Sequence, residues 1–147
     1  MYHFGLEPLL KQRQFTEDLL QRELAICLQL LAEEKEKLST YRQLHQKCQQ
    51  RIDRRLQTPI AAADLTLFCD YLKSLAVNLT EQKQKISEVE KDVDQKRDDL
   101  VAAMKRRKIL DKLKEKGRLA YKRDRSKREQ ISLNDIAIQG YGRKERL

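Results

Sequence analysis

Apolar residues in the first part of the chain recur at alternating steps of three and four, the spacing that places side chains on one face of a coiled-coil helix. Polar residues break this a/d frame at Arg13, Glu17, Glu34 and His45. The pattern predicts a first helix over about residues 8–56, because Pro8 is tolerated at a first helical position. The apolar members of the frame are Leu10, Leu20, Leu24, Cys27, Leu31, Leu38, Tyr41, Cys48 and Ile52.

A second stripe follows a predicted turn over about residues 57–64. Pro59 cannot donate a helical hydrogen bond, and either Asp64 or Thr58 could cap the helix that follows. Gln82 and Lys96 are the polar breaks of this second frame. Its apolar members are Leu65, Phe68, Leu72, Leu75, Leu79, Ile86, Val89, Val93, Leu100 and Ala103.

The two stripes predict an all-α fold: a long two-helix antiparallel coiled-coil hairpin, forming a single domain over residues 1–147. A short connection favours antiparallel neighbours, so paired residue numbers should add to roughly 120, which sets Leu31 near Val89. Helix 2 is expected over about 65–138, with a basic C-terminal helical extension that overhangs helix 1 from about residue 113. Gly140 and Gly142 are expected to end the helix.

Composition agrees with an elongated helical protein. Charged residues make up 37% of the chain and aromatic residues 5%, which leaves little material for a globular core. No apolar run approaches the roughly 20 residues that cross a bilayer, so we expect a cytoplasmic protein with no direct membrane insertion. Cys27, Cys48 and Cys69 match no disulfide framework, which favours a reducing compartment.

The positive charge lies in the C-terminal part. Residues 1–104 hold 16 basic and 17 acidic groups, whereas residues 105–147 hold 16 and 6. A solvated face, an acidic protein partner and a nucleic acid are all compatible with such a field. Tyr121 is the only aromatic residue between Lys105 and Arg128. Because nucleic-acid binding usually needs stacking aromatics or a recognised fold, we favour the acidic protein partner and expect no nucleic acid.

Catalytic chemistry is not indicated. The chain has no phosphate-binding glycine loop and no Ser/His/Asp set, and a two-helix hairpin offers no interior in which to shift a pKa. We therefore predict a protein that is not an enzyme and has no cofactor. His45, Cys48 and Cys69 superficially resemble zinc ligands, but polar and small residues at a weak place in the seam explain them better, so no metal site is predicted.

A patch near the hairpin tip is a candidate docking surface. Tyr71, Leu75 and Asn78 form a stripe beside Phe68 that only partly coincides with the seam. Leu38 and Tyr41 could face the same end of the hairpin. Apolar side chains displaced from a seam suit protein binding.

Taken together, these segments resemble the FliJ family, the small coiled-coil component of the bacterial flagellar type III export apparatus. The resemblance covers essentially the whole chain. It is carried by Lys108-Ile109-Leu110-Asp111-Lys112-Leu113-Lys114-Glu115-Lys116, Ala120-Tyr121, Arg128-Glu129-Gln130, Leu133-Asn134-Asp135-Ile136-Ala137 and, at the start of helix 2, Phe68-Cys69-Asp70-Tyr71-Leu72-Lys73-Ser74-Leu75.

The resemblance implies a stalk that inserts into the hexameric ring of the flagellar export ATPase and also binds the FlhA export gate and export chaperones. It implies a cytoplasmic protein, peripheral at the cytoplasmic face of the inner membrane. The gate-binding positions of the family correspond here to Leu38, Tyr41, Tyr71 and Leu75. The ATPase-facing ends of the family correspond to the basic overhang, where we assign Lys105, Arg106, Lys108, Lys112 and Lys116.

Two alternatives stay open. The equivalent stalk of a virulence type III secretion system shares the architecture. A basic helical protein associated with nucleic acid or the ribosome would carry a similar charge.

Overall fold

Two long α-helices form the structure, a computed structural model that describes residues 1–146. Helix α1 spans Glu7–Arg55 and helix α2 spans Ala62–Glu145, and the two pack against each other as a hairpin. No strand occurs within residues 1–146. The predicted all-α coiled-coil hairpin is therefore confirmed.

The turn between the helices is closed by backbone hydrogen bonds. At the end of α1, the amides of Gln57 and Thr58 donate to the carbonyls of Arg54 and Arg55, at 3.4 and 3.2 Å. The Thr58 hydroxyl also donates to the Arg55 carbonyl, at 3.1 Å. These bonds satisfy carbonyls that a helix end leaves without partners, so α1 ends before Pro59.

Helix α2 begins and ends outside the range expected from sequence. It starts at Ala62, before Asp64, and continues through Gly140 and Gly142 to Glu145. A glycine within a helix costs only about 0.5–1 kcal/mol relative to alanine. Two glycines weaken the last turns without breaking the hydrogen-bond ladder.

Burial follows the predicted a/d frame along both helices. Leu10 and Val93 are the least exposed apolar residues, at 2%. Frame positions such as Leu31 and Val89 are only half-buried, because two helices alone leave each seam residue open on its flanks. The buried apolar residues are Leu10, Cys48, Ile52, Leu75, Ile86, Val93, Ala103 and Leu110.

Contacts divide the chain into two units, each with a piece of both helices. The tip unit comprises residues 18–101 and includes the turn. The terminal unit comprises residues 1–17 and the chain from residue 102 onward.

The tip unit holds an apolar cluster beside the turn. Cys48, Ile52 and Leu75 are buried in it, and Phe68 and Leu72 pack against them. The Arg55 guanidinium lies 5.9 Å from the centre of the Phe68 ring, within the range of a cation–π contact.

Two polar breaks of the tip-unit seam, Glu34 and Gln82, meet across it. The Gln82 side-chain amide donates to the Glu34 carbonyl at 2.9 Å and to the Glu34 carboxylate, and both side chains are buried. Further along, Lys96 donates to Glu23 at 2.7 Å. These pairs fit the antiparallel register predicted from sequence, and they leave no buried side-chain polar atom unsatisfied among residues 1–146.

The terminal unit has a polar layer of its own. Glu17, although buried, forms an ion pair with Arg107, and Arg107 also donates to Asp111 at 2.6 Å. Lys114 pairs with Glu7 at 2.8 Å. The hydrogen bonds to Glu17 and Asp111 raise the pKa of the Arg107 guanidinium.

The segment before α1 also packs against α2. A Cβ atom placed on Gly117 would overlap the hydroxyl oxygen of Tyr2 and lie 2.9 Å from its Cζ. The Tyr2 and Tyr121 rings lie 5.9 Å apart, tilted by 43°. Gly117 therefore forms a socket for Tyr2, and α2 has a neighbour well beyond residue 113.

The Glu34–Gln82 pair predicts a pH-dependent contribution to stability. The hydrogen bond from Gln82 holds the pKa of Glu34 below its usual value of 4.5. A carboxyl group with a lowered folded-state pKa stabilises the fold above the unfolded value, and this contribution disappears as the pH falls through the folded value. Gln82→Leu removes this hydrogen bond, so wild type should have the larger free energy of unfolding at neutral pH. The difference in the free energy of unfolding between the two chains should narrow below pH 4.5.

Urea unfolding followed by circular dichroism between pH 7 and pH 3 measures this difference. The exposed change Gln84→Leu is the control and should give curves parallel to wild type. A Gln82→Leu difference that stays constant with pH would contradict the assigned role of Glu34.

The Gly117 socket predicts a local effect without loss of the hairpin. Gly117→Ala should raise helix stability by about 0.5–1 kcal/mol through propensity but displace Tyr2. Hydrogen exchange at residues 2–6 should then become faster, while the thermal midpoint stays the same or rises. Gly140→Ala is the matched control, since a Cβ atom there meets nothing within 4 Å. Unchanged exchange in Gly117→Ala would show that Tyr2 does not occupy the socket in solution.

Candidate protein-interaction surfaces

The basic residues assigned from sequence to an ATPase-facing surface all lie on exposed positions of α2 in the terminal unit. We call them the basic row: Lys105, Arg106, Lys108, Lys112 and Lys116. None of them forms an ion pair within 4 Å among the described residues, whereas their neighbour Arg118 pairs with Glu115 at 2.7 Å. Lys108, Lys112 and Lys116 follow one another at i,i+4, where like charges repel. A polyanionic partner would relieve this repulsion.

Arg107 behaves differently from the row around it. It continues the a/d frame of helix 2, so its side chain turns into the seam and pairs with Glu17. The sequence interpretation left Arg107 out of the ATPase-facing set but assigned it no role in the seam. Extending the frame past Ala103 would have identified it as a seam residue.

Beyond Tyr121, every described residue of α2 is exposed. This C-terminal extension, residues 122–146, carries large apolar side chains that are 60–75% exposed: Ile131, Leu133, Ile136, Ile138 and Tyr141. Basic and apolar groups therefore occur together on an uncovered helix, a combination found at protein interfaces.

The four residues assigned to gate binding differ in accessibility. Tyr71 is 49% exposed, and Leu38 and Tyr41 are half-buried. Leu75 is only 4% exposed and belongs to the apolar cluster beside the turn. Leu75 thus supports the surface from beneath, and the side chains that a partner could reach are the other three.

Among the open grooves along the tip unit, two lie close to these residues. The tip groove has a volume of about 400 Å³ and is lined by Leu44, Lys47, Cys48, Gln50, Arg51, Arg54, Phe68 and Tyr71. The mid groove has a volume of about 300 Å³ and is lined by Tyr41, Asn78, Glu81, Gln82, Gln84, Lys85 and Glu88. Several groove residues come one position before an a/d residue in the sequence and so lie beside the seam. They are Leu44 and Arg51 on α1, and Tyr71, Asn78 and Lys85 on α2. The grooves therefore share one flank of the seam.

The tip groove was not predicted from sequence. Leu44 is 40% exposed and lies off the a/d frame, so periodicity alone treats it as an isolated surface leucine. Only the register between the helices brings it close to Phe68 and Tyr71. The signal available in the sequence was the spacing of Leu44 and Arg51, which are seven residues apart and therefore lie on the same face of α1, off the a/d frame.

The structure also places the cysteines and the other candidate metal ligands. Cys27, Cys48 and Cys69 are free thiols, half-buried, buried and exposed respectively. Within residues 1–146 no cluster of three His, Cys, Asp or Glu side chains is arranged to hold a metal ion. Over the same residues, neither helix has a stretch apolar and long enough to cross a membrane.

One of three comparisons with known proteins identifies a family for this chain. The family model described as "Flagellar FliJ protein" matches residues 2–146. The solved structure of a putative YscO homologue from Chlamydia trachomatis superimposes with a TM-score of 0.54 at 19% identity, covering 98% of this chain and 99% of that one, which shows a shared fold. A search of curated proteins gave no match. Because the family model spans nearly the whole sequence, the chain belongs to the FliJ family.

Proposed function

We propose that this chain is the non-enzymatic stalk of a bacterial flagellar type III export apparatus. In this proposal the terminal unit binds the hexameric export ATPase, and the tip unit binds the FlhA export gate and export chaperones. The observation that carries the proposal is the family match over residues 2–146. The exposed basic row and the two grooves provide the surfaces that it requires.

The basic row is suited to an acidic lining inside a protein ring. Each exposed ion pair contributes only about 0–1 kcal/mol, so binding must come from several pairs together. The row supplies five cations on three successive turns of α2, and the extension adds apolar side chains for close contact. Such an interface should weaken with salt, because the screening length shortens to about 8 Å at physiological ionic strength.

The tip unit is suited to a partner that binds through aromatic side chains. Tyrosines dominate the energetics of many interfaces, because they bury a large apolar area and lose little conformational freedom. Tyr41 lines the mid groove and Tyr71 the tip groove. A gate segment lying along this flank would contact both.

The proposed location follows from the proposed partners. A protein that binds both the ATPase and the gate works in the cytoplasm, peripheral to the inner membrane. The flagellar system is favoured over a virulence system because the matching family model is the flagellar one.

Reversing the basic row tests the ATPase-binding part of the proposal. With Lys105, Arg106, Lys108, Lys112 and Lys116 all changed to Glu, stimulation of the purified ATPase should be lost, because repulsion replaces attraction at five sites. Single reversals should have effects of about 1 kcal/mol or less each. Binding to the gate should persist, since these residues lie in a different unit from the grooves.

The matched control reverses five exposed cations of the tip unit that line neither groove: Arg22, Arg42, Lys73, Lys83 and Lys91. It changes the net charge equally and should retain stimulation. A parallel titration of the wild-type chain against duplex DNA at matched salt tests the alternative of a nucleic-acid-binding protein. Affinity for DNA would fall steeply with the logarithm of salt concentration. Tight DNA binding at physiological salt, with no effect on the ATPase, would contradict the proposal.

Removing the two tyrosines tests the gate-binding part. Tyr41→Ala with Tyr71→Ala should weaken binding to the gate's cytoplasmic domain at least tenfold, about 1.4 kcal/mol, through loss of buried aromatic area. Helicity should be mostly retained, because both side chains remain partly exposed.

Leu67→Ala with Val77→Ala is the control, since both side chains are more than half exposed and line neither groove. Isothermal titration calorimetry gives the affinities and circular dichroism gives the helicity. If the tyrosine variant loses its helicity together with its binding, these residues are core residues and the docking surface is wrongly assigned.

A further inference from the structure

The tip groove is basic as well as apolar. Lys47, Arg51 and Arg54 are its three charged residues, and it contains no acidic side chain. Its apolar part is formed by Leu44, Cys48, Phe68 and Tyr71. A ligand for this groove must therefore satisfy cations and cover apolar surface at the same time.

The three cations are placed along one side of α1. Lys47, Arg51 and Arg54 occupy successive turns, so they span roughly 10 Å at 1.5 Å per residue. All three are exposed, and none forms an ion pair within 4 Å among residues 1–146. Neighbouring like charges at this spacing repel each other and destabilise a helix.

Helix electrostatics explains only part of this placement. Cations in the last turn of a helix interact favourably with its dipole, which accounts for Arg54. The effect falls off within one turn, so it does not account for Lys47 and Arg51. Neither Lys47 nor Arg51 forms an ion pair among the described residues of the tip unit, and both lie beside an apolar groove, which favours a role in binding.

The mid groove has a different charge. Glu81 and Glu88 line it together with a single cation, Lys85. The cationic character is therefore confined to the end of the flank beside the turn. A partner lying along this flank is expected to carry its carboxylates near the turn, so the charges fix its direction as well as its position.

We propose that the tip groove binds an acidic peptide segment of the partner protein. Its carboxylates pair with Lys47, Arg51 and Arg54, where the two guanidinium groups can form two-point hydrogen bonds. An adjacent apolar side chain packs against Phe68 and Tyr71. This inference rests on the proposed function, which gives the tip unit a protein partner, and it adds the chemistry that the partner segment must have.

A peptide suits this groove better than a nucleic acid. Three cations neutralise few phosphates, and nucleic-acid affinity depends on the number neutralised. The volume of about 400 Å³ and the partly buried apolar wall suit one or two side chains of a peptide.

The test is the affinity of the gate's cytoplasmic domain, measured at low and at physiological salt. Lys47→Glu, Arg51→Glu and Arg54→Glu together should weaken binding at least tenfold at low salt and remove most of the salt dependence of wild type. The Tyr41→Ala, Tyr71→Ala variant should lose affinity but keep the wild-type salt dependence. The terminal unit is the same in wild type and in both variants, so its positive charge contributes equally to the salt dependence of all three.

The control changes the same charge elsewhere in the tip unit, with Arg42→Glu, Lys73→Glu and Lys83→Glu, and should alter affinity less than twofold. A glutamine version of the groove triple avoids placing acids at the end of α1 and should also weaken binding. Circular dichroism verifies that each variant folds.

The possible failures can be distinguished. Unchanged affinity in both groove triples, with loss in the tyrosine variant, would overturn the inference and leave the proposed function intact. Equal losses of affinity in the groove triple and the control triple would also overturn it. So would a competition experiment in which duplex DNA displaces the gate domain from wild type but not from the groove triple. No binding by wild type would contradict the proposed function, and the inference with it.

Discussion

The pairing of two apolar stripes along a single seam is the interaction on which the rest of this structure depends. Two helices without a third layer leave many seam residues only half-buried, so the average hydrophobic contribution per residue is modest. A repetitive seam would also tolerate sliding by a heptad. Glu34 with Gln82, and Glu17 with Arg107, place polar groups where only one register satisfies them. Polar seam residues are well known to specify register in coiled coils.

The same seam decides which groups are available to partners. Arg107 and Lys114 lie on the frame and are used inside the terminal unit, whereas the basic row lies off the frame and stays in solvent. In the tip unit, the register brings Leu44 and Arg51 of α1 beside Phe68 and Tyr71 of α2. Binding surfaces thus arise from residues that the seam does not use, and their placement depends on the register.

Periodicity was sufficient to predict the two helices, the turn at Pro59 and the antiparallel register, because a two-helix seam is a repeated local pattern. It could not predict the position of Tyr2 against Gly117, since a segment outside the helices has no period. Nor could it predict the tip groove, which needs both helices in register. Leu75 lies on the frame and is buried as the frame predicts, so its assignment to a binding surface could not be judged from spacing alone.

A single fixed register is the central claim, and a distance measurement tests it most directly. Spin labels at positions 35 and 90, which the Lys35–Glu90 contact of 4.0 Å places opposite each other, report the register once the three native cysteines are replaced. Slippage by one heptad moves one label by roughly 10 Å. The account predicts one narrow, short distance in this chain and an added longer population when Glu17, Glu34, Gln82 and Arg107 are all leucine. Two populations with the polar residues in place, or an unchanged narrow distance without them, would contradict it.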